Sequence, residues 1–347
     1  MTALQPPIAT ATTAATATPP KADKPATPAA LAPFKSVSYA GRSAGTRLIV
    51  TGAVHGNEVC GPLAIRRLMA EIDEGKLVIQ RGLLTLVPVC NALGYQRGTR
   101  EGERDLNRAL GPTPAPRQYE DHVANWLCPL LAQHEVLLDL HSFRSPGRAF
   151  VLVGPSDNSG SLEPFSQAAR EEAMARRLGV DRVVDGWLST YARGVERRRA
   201  AAGPGADALE MNPRFGVGTT EYMRSQGGMA MTLECGEHGD PQAPEVGYQA
   251  IRRTLAHLGL TKEPAPAEAR GIEALTIYEV VDKQHDDDSF VRDWRSFDRL
   301  RAGERIATRA DGQPVYAQAD SWMLFPDGTA RAREQWFYLA QASTRFK

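Results

Sequence analysis

The runs Arg47–Gly52, Gly82–Val89 and Val136–Leu140 are short, almost uninterruptedly apolar, and separated by stretches whose apolar residues recur with helical period. A strand with one wet face alternates apolar and polar residues, whereas a strand without alternation is buried on both faces. A helix between two such strands has to carry the chain back to the start of the next one. That makes the sheet mainly parallel and lays helices on both its faces. Helical patterns run from about Gly61 to Asp73 and from Val123 to Gln133. Further strands are expected at Arg148–Val153 and Met229–Glu234, with helices at Pro164–Arg177 and Val246–Leu258. The expected fold is therefore α/β, a mixed and mainly parallel sheet flanked by helices.

The two ends of the chain read differently. Residues 1–33 are dominated by Ala, Thr and Pro, a composition that buries too little apolar surface to offset the entropy of ordering, so a disordered tail is expected there. The α/β domain then covers 34–261. Residues 262–271, with two prolines and alternating charge, read as a linker. Beyond it the runs Leu275–Val281, Gln313–Ala317 and Gln335–Ala340, punctuated by Asp311-Gly312 and Pro326-Asp327-Gly328, predict a small β-rich domain over 272–347.

With 41 basic and 41 acidic residues the chain carries no net charge that would draw it to nucleic acid or an anionic membrane. Cys60, Cys90, Cys128 and Cys235 are widely spaced, form no CxxC pair, and are expected to be small buried residues in a reducing compartment. With no secretory pattern and no run of 18 apolar residues, a cytoplasmic protein is expected.

Chemistry concentrates where the apolar runs end, which is where sheets of this kind place their ligands. His55-Gly56-Asn57-Glu58 follows the first run, and its imidazole and carboxylate, three residues apart, can both face one zinc ion. His141, at the end of Leu138-Asp139-Leu140-His141, supplies a third ligand and leaves a coordination position open, the pattern of a catalytic site. The segment Thr99–Arg108 is rich in arginine, whose planar fork suits carboxylates and a polarised carbonyl. Taken alone it also reads as a solvated loop with internal ion pairs. Glu234, closing Thr232-Leu233-Glu234, is placed to exchange a proton with water, or alternatively to point to solvent. Three other stretches are assigned no function: Arg197-Arg198-Arg199 reads as a solvated loop, Asp286-Asp287-Asp288 as exposed linker, and His238 as a surface loop residue, with a place in the pocket wall near Glu234 as its alternative.

Together these motifs resemble the succinylglutamate desuccinylase and aspartoacylase family, relatives of the zinc carboxypeptidases. His55-Gly56-Asn57-Glu58, Arg100 with Asp105-Leu106-Asn107-Arg108, Asp139-Leu140-His141 and Leu233-Glu234-x-Gly236 follow in that family's order over about residues 46 to 258. The resemblance implies one Zn2+ per subunit on His55, Glu58 and His141, with Glu234 as general acid and base. It further implies Arg100 polarising the scissile carbonyl, and Asn107 and Arg108 holding a substrate carboxylate. Arg224, ten residues before Glu234, resembles the arginine that binds an acyl or side-chain carboxylate in aspartoacylase. The β-rich C-terminal domain would cap the site and supply a tyrosine, which the sequence does not identify among residues 331 to 338. The implied function is a zinc-dependent amidohydrolase that removes an acyl group from a small N-acyl amino acid through metal-activated water. A carboxypeptidase-like metallopeptidase and a non-catalytic zinc-containing binding protein are the competing readings.

Overall fold

Leu48, Ile49 and Val50 have no solvent exposure, and the strand that holds them lies inside an eleven-stranded sheet. A computed structural model describes residues 33–202 and 211–347; the tail expected over 1–33 lies, but for Pro33, outside the described residues. The strands are β1 (Val37–Ala40), β2 (Ser43–Gly52), β3 (Arg81–Val87), β4 (Val136–Phe143), β5 (Phe150–Leu152), β6 (Arg182–Asp185) and β7 (Met229–Glu237). After them come β8 (Glu273–Asp282), β9 (Ser289–Phe290), β10 (Arg299–Leu300), β11 (Arg305–Thr308), β12 (Pro314–Tyr316), β13 (Ser321–Leu324) and β14 (Gln335–Ala342). The helices are α1 (Cys60–Asp73), α2 (Ala92–Arg97), α3 (Tyr119–Ala132), α4 (Ala168–Ala175), α5 (Trp187–Ala202), α6 (Thr219–Ser225) and α7 (Ala243–His257).

The sheet order is β1-β3-β2-β4-β7-β5-β6-β8-β14-β13-β10. β3, β2, β4 and β7 are parallel neighbours, as unalternating apolar strands require, and β5 enters antiparallel to β7. Segment 262–271 leads from α7 to β8, which pairs parallel to β6; from there β14, β13 and β10 extend the sheet antiparallel. β9, β11 and β12 form a separate three-stranded sheet.

Side-chain alternation along the central strands sets up everything that follows. Leu48, Val50, Leu138, Leu140, Met231 and Leu233 face one core, packed with Ala64, Ile65 and Leu68 of α1 and Ile251 and Leu255 of α7. Ile49, Leu137 and Ala230 face the opposite core, with Val123, Leu127 and Leu131 of α3. Two residues further along that second face stand Thr51, Asp139 and Thr232, paired in register across the three strands, and then His141 opposite Glu234. The apolar face thus turns polar at the carboxyl ends of the strands, under the loops.

Two expectations need correction. Arg197-Arg198-Arg199 is not a loop but part of α5, whose Leu188, Tyr191, Ala192 and Val195 are buried at helical spacing. Arg198 pairs with Asp282 at 2.6 Å and Arg197 donates to the Val280 carbonyl at 2.9 Å. Asp288 is not exposed linker either. It is 4% exposed and accepts from the backbone N–H groups of Gln284 and Ala310 and from Arg309 at 2.8 Å each, which closes the loop after β8.

Burial alone would raise the Asp288 carboxyl, but the Arg309 guanidinium and the backbone donors outweigh it and hold the group down to about 2. A depressed folded-state pKa contributes stability that is complete above the unfolded carboxylate range and lost as pH falls through about 2. Asp288→Asn is expected to cost about 2 kcal/mol at neutral pH, shrinking as the pH falls below about 4. Urea denaturation of both proteins across that range checks it, and a difference independent of pH would contradict it.

Candidate active site

The turn after β2 is shaped by what surrounds it. A Cβ at Gly56 would lie 2.0 Å from the Gly94 carbonyl carbon, so only glycine lets this turn pack on α2, and its N–H donates to the Arg100 carbonyl at 2.9 Å. Glu58 lies two residues before the start of α1, and its N–H bonds back to the His55 carbonyl at 3.1 Å. The imidazole and the carboxylate of the motif therefore come to one point.

At that point Glu58 stands between two imidazoles. Its Oε1 is 2.8 Å from His55 Nδ1, its Oε2 is 2.9 Å from His141 Nδ1, and the Ser142 N–H donates to Oε2 at 3.1 Å. All three side chains are buried, and their ligand-type atoms lie within 4.8 Å of one another. Among the described residues they form the one such cluster able to hold a metal ion.

The far side of each ring is also held. His55 Nε2 faces Asp105 Oδ1 at 3.1 Å, and His141 Nε2 faces Asp139 Oδ2 at 2.8 Å. Asp139 accepts from Thr51 Oγ1 at 2.6 Å and from the Thr219 hydroxyl. A carboxylate on Nε2 fixes the ring and leaves Nδ1 as the electron-rich nitrogen, the usual support for a metal-binding histidine. The surroundings also favour a cation. Burial would lower the His141 pKa, yet Asp139 and Glu58 hold it well above the ordinary histidine value. Burial would raise Glu58, yet His55 and His141 hold it well below the usual carboxylate range.

Opposite His141 across the β4–β7 pairing stands Glu234, 7% exposed, with Oε2 buried and without a hydrogen-bond partner among the described residues. Desolvation pushes its carboxyl up to about 8. A strand-end carboxylate left unsatisfied beside a cluster of titratable groups is costly, and such groups persist where function requires them.

The arginine-rich loop is organised by a residue that sequence reading overlooked. Glu120, fully buried in α3, accepts from the backbone N–H groups of Gly102, Glu103 and Arg104 and from Asn91 Nδ2 at 2.7 to 3.2 Å. The loop so held presents Arg100, whose Nε and Nη2 donate to Asp105 Oδ2 at 3.1 and 3.0 Å while Nη1 lies 3.6 Å from Glu58 Oε1.

Asn107 accepts at Oδ1 from the Thr219 N–H at 3.0 Å, in a slot where a Cβ on Gly218 would come within 2.1 Å of that oxygen. Arg108 is buried, with Nε donating to Tyr191 Oη at 3.1 Å and its guanidinium 5.5 Å from the Trp187 ring centre. Arg224 is also buried, and is taken up by Glu163, Glu171 and Glu221.

His55, Glu58, Arg100, Asn107, Arg108, His141, Arg224 and Glu234 line one cavity of about 490 Å³. Its walls also include residues that the sequence did not identify. Tyr338 of β14 lines it and stacks on Trp187 at 5.4 Å, which places a C-terminal tyrosine at the site. Trp187 comes from α5, a helix the sequence reading lacked, so nothing adjacent in sequence marked either ring. His238 is a wall residue rather than a surface one, its Nδ1 2.8 Å from Ser142 Oγ.

A mixed sheet whose central parallel strands carry a buried His–Glu–His cluster and a facing carboxylate at their ends is the layout of an α/β enzyme. The family model described as the succinylglutamate desuccinylase/aspartoacylase catalytic domain matches residues 44–257, and the chain belongs to that family of deacylases.

Solved structures share the fold across most of the chain. One is the succinylglutamate desuccinylase/aspartoacylase from Rhodobacter sphaeroides, with TM-score 0.65 and 18% identity over 89% of this chain and 88% of that one. Another is the product-bound ectoine utilization protein EutE (DoeB) from Ruegeria pomeroyi, with TM-score 0.65 and 18% identity over 88% of each chain. A third is the succinylglutamate desuccinylase from Vibrio cholerae, with TM-score 0.65 and 17% identity over 88% and 84%. No curated protein matches the sequence. Among the described residues no helix is long and apolar enough to cross a membrane.

The carboxylates on the two Nε2 atoms carry a direct expectation. Asp105→Asn and Asp139→Asn should each weaken metal binding about 10- to 100-fold. Competition against a chelator measures this, and unchanged affinity in both variants would show that the rings need no such support.

Proposed function

We propose that the chain is a zinc-dependent amidohydrolase that removes an acyl group from a small N-acyl amino acid, with His55, Glu58 and His141 holding one Zn2+. The observation that carries the proposal is the buried, unpartnered Glu234 carboxylate beside this cluster, inside a cavity that also holds Arg100 and Arg108. The donor set of two imidazoles and one carboxylate suits catalytic zinc, which keeps a position open. When bound there, zinc supplies Lewis acidity toward a carbonyl oxygen and makes water a stronger acid.

The chain's own residues do the rest. In its ionised form Glu234 Oε2 takes the proton from water as it attacks the amide carbonyl, and returns it to the amide nitrogen as the carbon–nitrogen bond breaks. Arg100 keeps Nε and Nη2 on Asp105, which leaves Nη1 to stabilise the negative charge that develops on the carbonyl oxygen. Arg108 and Asn107 hold a substrate carboxylate and so fix the amide relative to Glu234. Trp187, Phe325 and Tyr338 give the cavity an aromatic wall. The products are a carboxylic acid and a free amine.

The size of the cavity and its lining by residues 325 to 338 favour a compact substrate over a peptide chain. Purified protein is expected to release free amino acids from N-acyl amino acids, to stop with a chelator and to recover with zinc. Hydrolysis of peptides in preference to every small amide would establish the peptidase reading instead, and binding without turnover the non-catalytic one. Glu234→Gln should retain zinc and lose about 10²- to 10⁴-fold in kcat. Retained turnover in that variant would remove Glu234 from the proton path.

A further inference from the structure

We infer that a substrate carboxylate sits at Arg108, and that the group lodged against Thr220, Glu221 and Arg224 bears none. This rests on the deacylase reading and narrows it. Among the described residues, the arginines that the sequence offers for substrate carboxylates are Arg108 and Arg224, and the structure treats them in opposite ways.

Arginine recognises a carboxylate through two adjacent N–H groups on one edge of the guanidinium. On Arg224 every edge is occupied. Nε donates to Glu163 Oε1 at 2.6 Å, Nη2 to Glu221 Oε1 at 2.8 Å, and Nη1 to the Ala230 carbonyl at 2.8 Å with Glu171 Oε2 at 3.8 Å. Nor can the guanidinium swing away easily. A Cβ placed on Gly154 would lie 2.7 to 3.0 Å from its Cδ, Nε and Cζ, so its outer atoms lie directly over the backbone between β5 and α4.

Two of the three acids are fixed independently of Arg224. Glu171 accepts from the N–H groups of Gly154 and Ala230, closing the gap between β5 and β7, and Glu221 accepts from the N–H of Gly218 at the start of α6. Releasing the arginine to a ligand would strand these buried carboxylates without their counter-charge. Arg224 is thus a structural cation. The wall it shares with Glu221 holds three carboxylates to one guanidinium, and an incoming carboxylate meets repulsion there.

Arg108 is the reverse case. Its one carboxylate neighbour, Asp105, is 3.9 Å from Nη1, its Nε and Nη1 bond to the neutral oxygens of Tyr191 and Asn107, and Nη2 has no hydrogen bond among the described residues. Beside it Asn107 uses only Oδ1 internally, which leaves the Nδ2 donors available. The cavity therefore has a carboxylate socket at Arg108 and, at Arg224, a wall that selects against a carboxylate. This departs from what the resemblance implies for Arg224.

Two isosteric pairs test the inference on the zinc-loaded protein: N-acetylglutamine against N-acetylglutamate, and N-succinamylalanine against N-succinylalanine. Release of the free amino acid is followed in each case. The uncharged member of at least one pair should be cleaved with kcat/KM about tenfold or more above its carboxylate twin, and neither carboxylate twin should be preferred. Glu221→Gln, which removes one charge at constant shape, should narrow the ratio several-fold, and Glu163→Gln serves the same purpose on a less buried partner. Preference for either carboxylate twin would overturn the inference and leave the deacylase reading standing. No hydrolysis of any of the four would count against the deacylase reading itself, and the inference would fall with it.

Discussion

A carboxylate held between two imidazoles is the constraint on which the rest of the molecule depends. Glu58 faces Nδ1 of His55 and Nδ1 of His141, which come from the loop after β2 and from the end of β4. The arrangement exists only because β2 and β4 are adjacent and in register from Leu48↔Val136 to Gly52↔Leu140, so that both chains reach the same level as they leave the sheet. Buried charges of this kind are stable only when paired, and the two aspartates behind the rings complete that pairing.

The same sheet explains the placement of the carboxylate proposed for proton transfer. Ala230, Thr232 and Glu234 alternate with Met231 and Leu233 on β7, and the register with β4 brings Glu234 beside His141. Strand periodicity alone thus delivers ligand and carboxylate to one face. The helices contribute by a different route. Glu120 in α3 holds the arginine loop from beneath, while Trp187 and Tyr191 in α5 hold Arg108 from the side.

Much of this was legible in the sequence, for a physical reason. Unalternating apolar runs identify central strands, and polar groups at their ends converge in a parallel layout, so the meeting of His55, Glu58, His141 and Glu234 could be read directly. What could not be read depends on contacts between distant segments. Tyr338 and Trp187 meet only because β14 and β8 join the sheet next to β6. Asp288 looks exposed in a run of three aspartates, and only the folded loop turns backbone N–H groups toward it. The three acids around Arg224, Glu163, Glu171 and Glu221, likewise come from separate segments and meet only in the fold. The α5 helix is legible in its own periodicity, since Leu188, Tyr191, Ala192 and Val195 recur at helical spacing ahead of the triple arginine.

The most direct measurement is an anomalous-scattering map at the zinc edge from a crystal of the full chain grown with zinc. The account predicts one strong peak bonded to Nδ1 of His55, Nδ1 of His141 and the carboxylate of Glu58, with Asp105 and Asp139 still on the two Nε2 atoms. A peak elsewhere in the cavity, or none under conditions in which the protein hydrolyses its substrate, would contradict it.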